Sequence, residues 1–499
     1  MIELTIEDMS VEGQGIGRTP DGLVVFVEGA VKGDLVRAEV TKAKKRFAFA
    51  KAIETLDPSP LRNPEFDCPS YGQGCGGCPL GPLEYEAQLR IKEKQVRDRL
   101  ERIAGIEFAE EQGSGAACFL PIVGMSDEDN GGQGPWRYRN KATFPVSTGG
   151  IITRKGGIVE NLGEVAIGFY EGKSHKVVDC GDCYLQSMAA MAAADALRRF
   201  MYEDNITGYD PKWEKGLMRN MTVKTGFGTG EVMVILGING KGIPGAPKLV
   251  EMLDEAIEEV GYSLKSVVLD IDKAGGKGAG KNKYEVIAGS PTITDRVGDL
   301  KYEISPASFY QVNPAQMKRL YDKVRELVAR CAGREAEVGS AGGSGPVILD
   351  LYCGIGSIGL YCADLADMVI GIESVEEAVR DANRNSVING IVNTRYICGR
   401  AEEVIPAAVS QAKADSADIA ILDPPRAGCR QELLDAIAFA DIPDIIYVSC
   451  DPATLARDMA ILGEHGYRLI EATPYDLFPS TNHCETICLI TRERTVGDK

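Results

Sequence analysis

A cysteine and a glutamate near the end of the chain have the types and surroundings for covalent chemistry. YVSCDPATLARD puts Cys450 just beyond an apolar run, Ile445 to Ser449, that reads as a strand, and Pro452 opens a helical pattern behind it. A thiol at a strand end and near a helix N-terminus is expected to have a depressed pKa and so to offer a thiolate. Standing alone, such a residue reads nearly as well as a buried cysteine closing a strand. It does not stand alone, because LFPSTNHCETICLI places Glu485 at the head of the last strand pattern, where a carboxylate faces the same crevice.

A second set of residues has the makings of a nucleotide cradle. VILDLYCGIGSIGL, Val347 to Leu360, is an apolar run ending at Asp350, a turn at Gly354 and Gly356, and a helix pattern. Glycines there let backbone N–H groups approach a ligand. Glu373 ends the next apolar run and Asp423 ends a third, in LDPPRAG. In an open α/β sheet ligands bind at the carboxyl ends of strands, so these motifs and Cys450 share one crevice. Gly354, Gly356 and Gly359 also fit the dinucleotide fingerprint, but that pattern does not ask for DPP or a cysteine at strand ends. S-adenosylmethionine is the better ligand: the glycine turn faces its methionine and sugar, and Glu373 accepts from ribose hydroxyls.

A third set is ligand-like. Cys68, Cys75 and Cys78 fall in CPSYGQGCGGCP, and CGDC offers Cys180 or Cys183 as a fourth thiolate, a set that suits zinc or an iron–sulfur cluster. The three-cysteine loop of radical S-adenosylmethionine enzymes is spaced differently. Histidines number only 3, which argues against His-ligated metals and His-based triads. The 14 cysteines are partly clustered and partly inside apolar runs, so they do not read as a disulfide framework. Cys331, Cys362, Cys398 and Cys488 read as packing residues.

The elements that position these sets follow from the pattern of the whole chain. With 499 residues and 44% apolar content, several domains with real cores are expected. Residues 1–58 alternate apolar and polar with glycine breaks, as a small β-barrel does. Its end carries Arg37, Lys42, Lys44, Lys45, Arg46 and Lys51 interleaved with Phe47 and Phe49, a pattern that suits RNA through phosphate contact and stacking. A lysine-guarded strand edge is the plainer reading. Residues 59–303 read as a β-rich central domain carrying the cysteine loop. Within it, a charged helix over 83–104 is expected to pack on the catalytic domain, a disordered or inserted loop occupies 112–134, and a basic hairpin tip spans 272–283. Residues 304–499 read as a doubly wound, Rossmann-like α/β domain whose last two strands are antiparallel, entered through a glycine linker over 331–345.

Net charge is −18, which argues against nonspecific nucleic-acid binding by the whole surface. The start, MIELTIEDMS, lacks a basic and apolar leader, and no apolar run is long enough to span a bilayer, so a soluble, cytoplasmic protein is expected without a membrane or an obligate protein partner.

A methyl donor, a thiolate and a carboxylate together suit methylation at carbon 5 of uracil. That carbon is a poor nucleophile until a thiolate adds to carbon 6, and a base must then take the carbon 5 proton. On SFYQVN, DLYCGIG, LDPPRAG, YVSCDPATLARD and FPSTNHCET, with the barrel and the cysteine loop, the sequence resembles the RNA 5-methyluridine methyltransferases over nearly its whole length. The resemblance implies a TRAM-type barrel, Cys450 as nucleophile and Glu485 as base. It implies S-adenosylmethionine contacts at Gln311, Tyr352, Gly354, Gly356, Glu373 and Asp423, with Ser357 and Arg400 less well fixed. It also implies a [4Fe–4S] cluster on Cys68, Cys75, Cys78 and Cys183, the last preferred to Cys180 for its place before YLQ, and ribosomal RNA (23S) rather than transfer RNA as target. The first cysteine gap is one residue longer than is common in the family. RNA 5-methylcytidine enzymes, amino-methylating enzymes and a noncatalytic RNA-binding module are the rivals; Arg426 after Pro424 and Pro425 departs from the first two patterns.

Overall fold

A computed structural model of the chain describes residues 1–109, 116–148, 151–153, 159–161, 164–172, 174–271, 283–333, 345–405 and 417–492. The expected basic hairpin tip and glycine linker lie almost wholly outside these. Two compact units result, one of residues 1–67, 77–126 and 413–499, the other of 68–76 and 127–412.

The first unit opens with a closed barrel of five strands, Ile2–Met9, Gly15–Arg18, Val24–Glu28, Leu35–Ala43 and Phe47–Asp57. Alternation drives closure: Leu4, Ile6, Val25, Val27 and Val36 point inward and are buried, while Lys42, Lys44, Lys45 and Arg46 are exposed. Phe26, Phe47 and Phe49 cluster half-exposed with ring centroids 5.5–5.9 Å apart, and Lys44 Nζ lies 4.9 Å over the Phe47 ring. Arg37 is taken out of the basic set, since it pairs with Glu3 and Glu54.

The same unit holds the strands Ile419–Leu422 and Asp444–Ser449, parallel to each other, with Glu485–Arg492 antiparallel to the second. Tyr467–Tyr475 then pairs antiparallel with Glu485–Arg492, as expected for strands without a crossover helix. The helix Tyr85–Ala104 belongs to this unit, ending on Gly105 in the left-handed region. One expectation is corrected here. Residues 116–126 are not a loose loop: Cys118–Phe119 adds a parallel edge strand to Tyr467–Tyr475, and Leu120 N and Val123 N donate to Ala472 O and Pro474 O. Backbone pairing with Tyr467–Tyr475, plus Phe108 packed edge-on to Phe119, gives that segment partners its composition does not reveal.

In the second unit, a seven-stranded sheet is covered by the helices Met188–Glu203 and Ala246–Glu259. Their buried Leu197, Phe200, Leu249 and Leu253 share one core with Phe144, Val234 and Val267 of the sheet. Alanine-rich MAAMAAAD favours helix, and Ser187 caps it by accepting from Ala190 N. The parallel strands Val347–Leu351, Met368–Glu373 and Thr394–Cys398 complete the unit. Among the described residues no helix is long and apolar enough to cross a membrane.

Candidate active site

Cys450 follows the strand Asp444–Ser449 directly and precedes the helix Pro452–Glu464. Ser449 and Asp451 pin it from both sides: Asp451 N donates to Ser449 Oγ, and Asp451 caps the helix by accepting from Ala453 N and Thr454 N. Glu485 reaches it through strand register. Ser449 stands opposite Thr486 in the antiparallel ladder, so the next rung beyond is Cys450 and Glu485.

Glu485 is 3% exposed, and its Oε2 has no hydrogen-bond partner among the described residues. Burial first, then the charge of Asp423, raises its pKa well above the carboxylate range, while Arg426 opposes the rise. The Cys450 thiol is likewise pushed up, to about 12, by burial first and then by Glu485 and Asp423. This corrects the expectation of a depressed cysteine. The helix N-terminus is already occupied by the Asp451 carboxylate, and the carboxylates around the thiol outnumber Arg426. Asp423, half-buried, thus belongs electrostatically with Cys450 and Glu485.

The turn before Glu485 is fixed by residues the motifs did not flag. Lys92 of Tyr85–Ala104 is fully buried, with Nζ 2.6 Å from Asp476 Oδ1 and 2.9 Å from Phe478 O. Ser480, at φ 67°, donates its N–H to Gln88 Oε1 and accepts from Leu80 N. Asn482 Nδ2 donates to Val11 O beside the barrel. The charged helix is expected from sequence to pack on the catalytic domain, but only the third dimension exposes which lysine is swallowed.

The glycine turn lies in the second unit. Tyr352, Gly354 and Gly356 have φ of 62°, 54° and 77°, and a Cβ on Gly356 would stand 2.6 Å from the Tyr396 hydroxyl, so glycine is required there. Asp350 is buried and accepts from Gly359 N, fixing the turn from below. Glu373 accepts from Gly354 N and Val375 N, placing its carboxylate against the turn. Gln311 is buried, and its carbonyl accepts from Asn140 Nδ2. Ser357 Oγ is engaged by the Tyr321 hydroxyl, and Arg400 pairs with Glu402.

Of the cysteine set, Cys68, Cys75 and Cys183 lie in the second unit and Cys78 in the first, all partly exposed. Cys183 has the most thiolate-favouring surroundings: a hydrogen bond from Cys180, the amides of Leu185 and Gln186 and the Arg137 charge outweigh burial and lower it to about 7. Cys180 is driven up, first by its bond to Cys183 and then by burial, with Cys75 close enough to add to the rise. The chemistry of these donors fits a thiolate-bound group, but among the described residues no set of three or more His, Cys, Asp or Glu side chains is assembled to hold a metal.

Comparison with known proteins matches the TRAM domain at residues 1–53 and the tRNA (Uracil-5-)-methyltransferase family at 285–493. An uncharacterized RNA methyltransferase of Caldanaerobacter subterraneus is 39% identical over 98% of this chain and 98% of its own. One of Halalkalibacterium halodurans is 37% identical over 98% and 96%. The chain belongs to the RNA (uracil-5-)-methyltransferase family. The solved tRNA (uracil-54, C5)-methyltransferase of Pyrococcus abyssi, in complex with S-adenosyl-L-homocysteine, is 27% identical with a TM-score of 0.69, covering 98% of this chain and 100% of that one. The family's α/β methyltransferase fold and TRAM barrel are therefore those of this RNA methyltransferase.

Proposed function

We propose that the protein transfers a methyl group from S-adenosylmethionine to carbon 5 of a uridine in structured RNA, through a covalent bond from Cys450 to carbon 6. The observation that supports this reading best is the strand register, which, continued one step past its last pair Ser449 and Thr486, faces Cys450 with Glu485, whose Oε2 has no hydrogen-bond partner among the described residues. The donor supplies an electrophilic sulfonium methyl. On the family resemblance, Gln311, Tyr352, Gly354, Gly356, Glu373 and Asp423 would hold it. The complex of the Pyrococcus abyssi enzyme with the demethylated donor supports that choice.

In the proposed reaction Cys450 gives its proton to solvent and Sγ bonds to carbon 6, moving charge into an enolate across carbons 5 and 4. Carbon 5 attacks the sulfonium methyl, the S–CH3 bond breaks, and S-adenosylhomocysteine leaves. Glu485, ionised, then removes the carbon 5 proton, the double bond re-forms, and the thiolate leaves. A buried carboxylate of raised pKa is a strong base once ionised. Glu485→Gln should methylate once and stall as a protein–RNA adduct that survives denaturing electrophoresis. That adduct should require both S-adenosylmethionine and Cys450, and Cys450→Ala should form none. Near wild-type turnover by Glu485→Gln would sink the assignment.

Ribosomal RNA is the proposed target, on the family resemblance of barrel and cysteine loop together. Transfer RNA is the second reading, favoured by the Pyrococcus abyssi likeness. Mapping 5-methyluridine in both RNAs of a strain lacking the gene separates them.

The iron–sulfur cluster is a separate proposal, on Cys68, Cys75, Cys78 and Cys183, supported by the lowered Cys183 thiol. It would supply a structural or RNA-docking brace and takes no part in the proton and bond changes above. Anaerobically purified protein should contain iron and acid-labile sulfide, lost in Cys183→Ser and kept in Cys180→Ser. Zinc without iron would overturn it.

A further inference from the structure

Cys450 must ionise among carboxylates. The charged groups facing it are Glu485 from the last strand, Asp423 from the strand end before LDPPRAG, Asp451 from its own helix cap and Arg426. Asp423 and Arg426 are the charged groups facing Glu485. Arg426 is thus a cation in the cluster, and it is held there. Its Nη2 lies 3.1 Å from His483 Nε2, two residues before Glu485. Its carbonyl accepts from the Thr454 hydroxyl on the helix that follows Cys450.

The loop around it is locked as well. Arg457 donates to Ala427 O and Cys429 O, and Cys429 N donates to the buried Asp458. Gly428 sits at φ 73°, where a Cβ would stand 2.5 Å from Arg457 Nη2. A loop fastened on both sides of Arg426 keeps its stem from swinging away, and His483 orients the head.

We propose that Arg426 is a positioning residue for the methyl transfer: tethered to His483, its guanidinium makes the Cys450 thiolate tolerable among Glu485, Asp423 and Asp451. The inference rests on the reading of Cys450 as nucleophile. When Sγ ionises, the new negative charge has the Arg426 cation to face. When carbon 6 is attacked, that charge passes into the uracil ring and the cation is left to the carboxylates. Arg426 is exposed, so solvent screens its charge and its influence on the thiol is modest.

The test uses free enzyme and neutral iodoacetamide, which gains nothing from the guanidinium, with Cys450 alkylation followed by peptide mass spectrometry. Each unit of pKa rise cuts the thiolate fraction tenfold and raises its nucleophilicity about threefold, so Arg426→Gln should alkylate roughly three- to tenfold more slowly at pH 8.5. Arg426→Lys should recover most of the rate. Equal rates in wild type and a folded Arg426→Gln would overturn the proposal. So would equal losses in Lys and Gln variants, which would mean packing and not charge. Should Arg426→Gln fail to fold, Arg426→Met keeps the aliphatic stem and reads the same quantity. Because alkylation needs neither RNA nor donor, its outcome stands apart from any failure to find methylation.

Discussion

At the scale of single residues, the fold disfavours the charged form of both groups proposed to react. Burial raises Glu485 and Cys450 alike, since each would otherwise put a charge where water is scarce and Asp423 is near. The sign of the stability consequence follows. As pH climbs past the ordinary carboxylate value of 4.5, the unfolded chain releases the Glu485 proton while the folded one keeps it, so this residue costs stability increasingly until its raised pKa is passed. Glu485→Gln should therefore raise the melting temperature more at pH 8 than at pH 5, by thermal unfolding in one buffer series. An equal gain at both would mean that the carboxylate ionises normally in the fold.

At the scale of elements, the turn that delivers Glu485 hangs from the helix Tyr85–Ala104 by the Lys92–Asp476 pair, both side chains fully buried. Removing one partner leaves a buried charge alone, so Lys92→Met should cost about 3–5 kcal/mol in denaturant unfolding, while the double replacement Lys92→Met with Asp476→Leu should recover much of it. No recovery would mean that Lys92 matters through Phe478 O instead. Much of this layer was legible in advance. Alternation gave the barrel, strand-end motifs gave the parallel strands, and a missing crossover helix gave the antiparallel last pair. The Cys118–Phe119 strand was not, because two residues carry no periodicity. Nor was Lys92, since nothing local marks the lysine that meets an aspartate 384 residues away. The thiol's protonation escaped for a like reason: it depends on carboxylates gathered from separate strand ends.

At the scale of the whole molecule, a chain of net charge −18 binds RNA only where its charge is locally reversed, and the barrel edge with Lys44, Lys45 and Arg46 exposed is such a place. Reversing those three should weaken RNA binding and flatten its salt dependence by roughly 0.7–0.9 per lost phosphate contact in the log–log slope, with donor affinity unchanged. An unaltered slope in a filter-binding titration would make the edge a solvated one.

The 384-residue span closed by Lys92 and Asp476 also sets a clock. A ribosome adding roughly 5–20 residues per second releases the Tyr85–Ala104 helix some tens of seconds before its aspartate exists. During that interval the face that will seat Lys92 has no native cover. The nascent chain then carries that face uncovered during synthesis, and Glu485 is among the last parts of the protein to find its place.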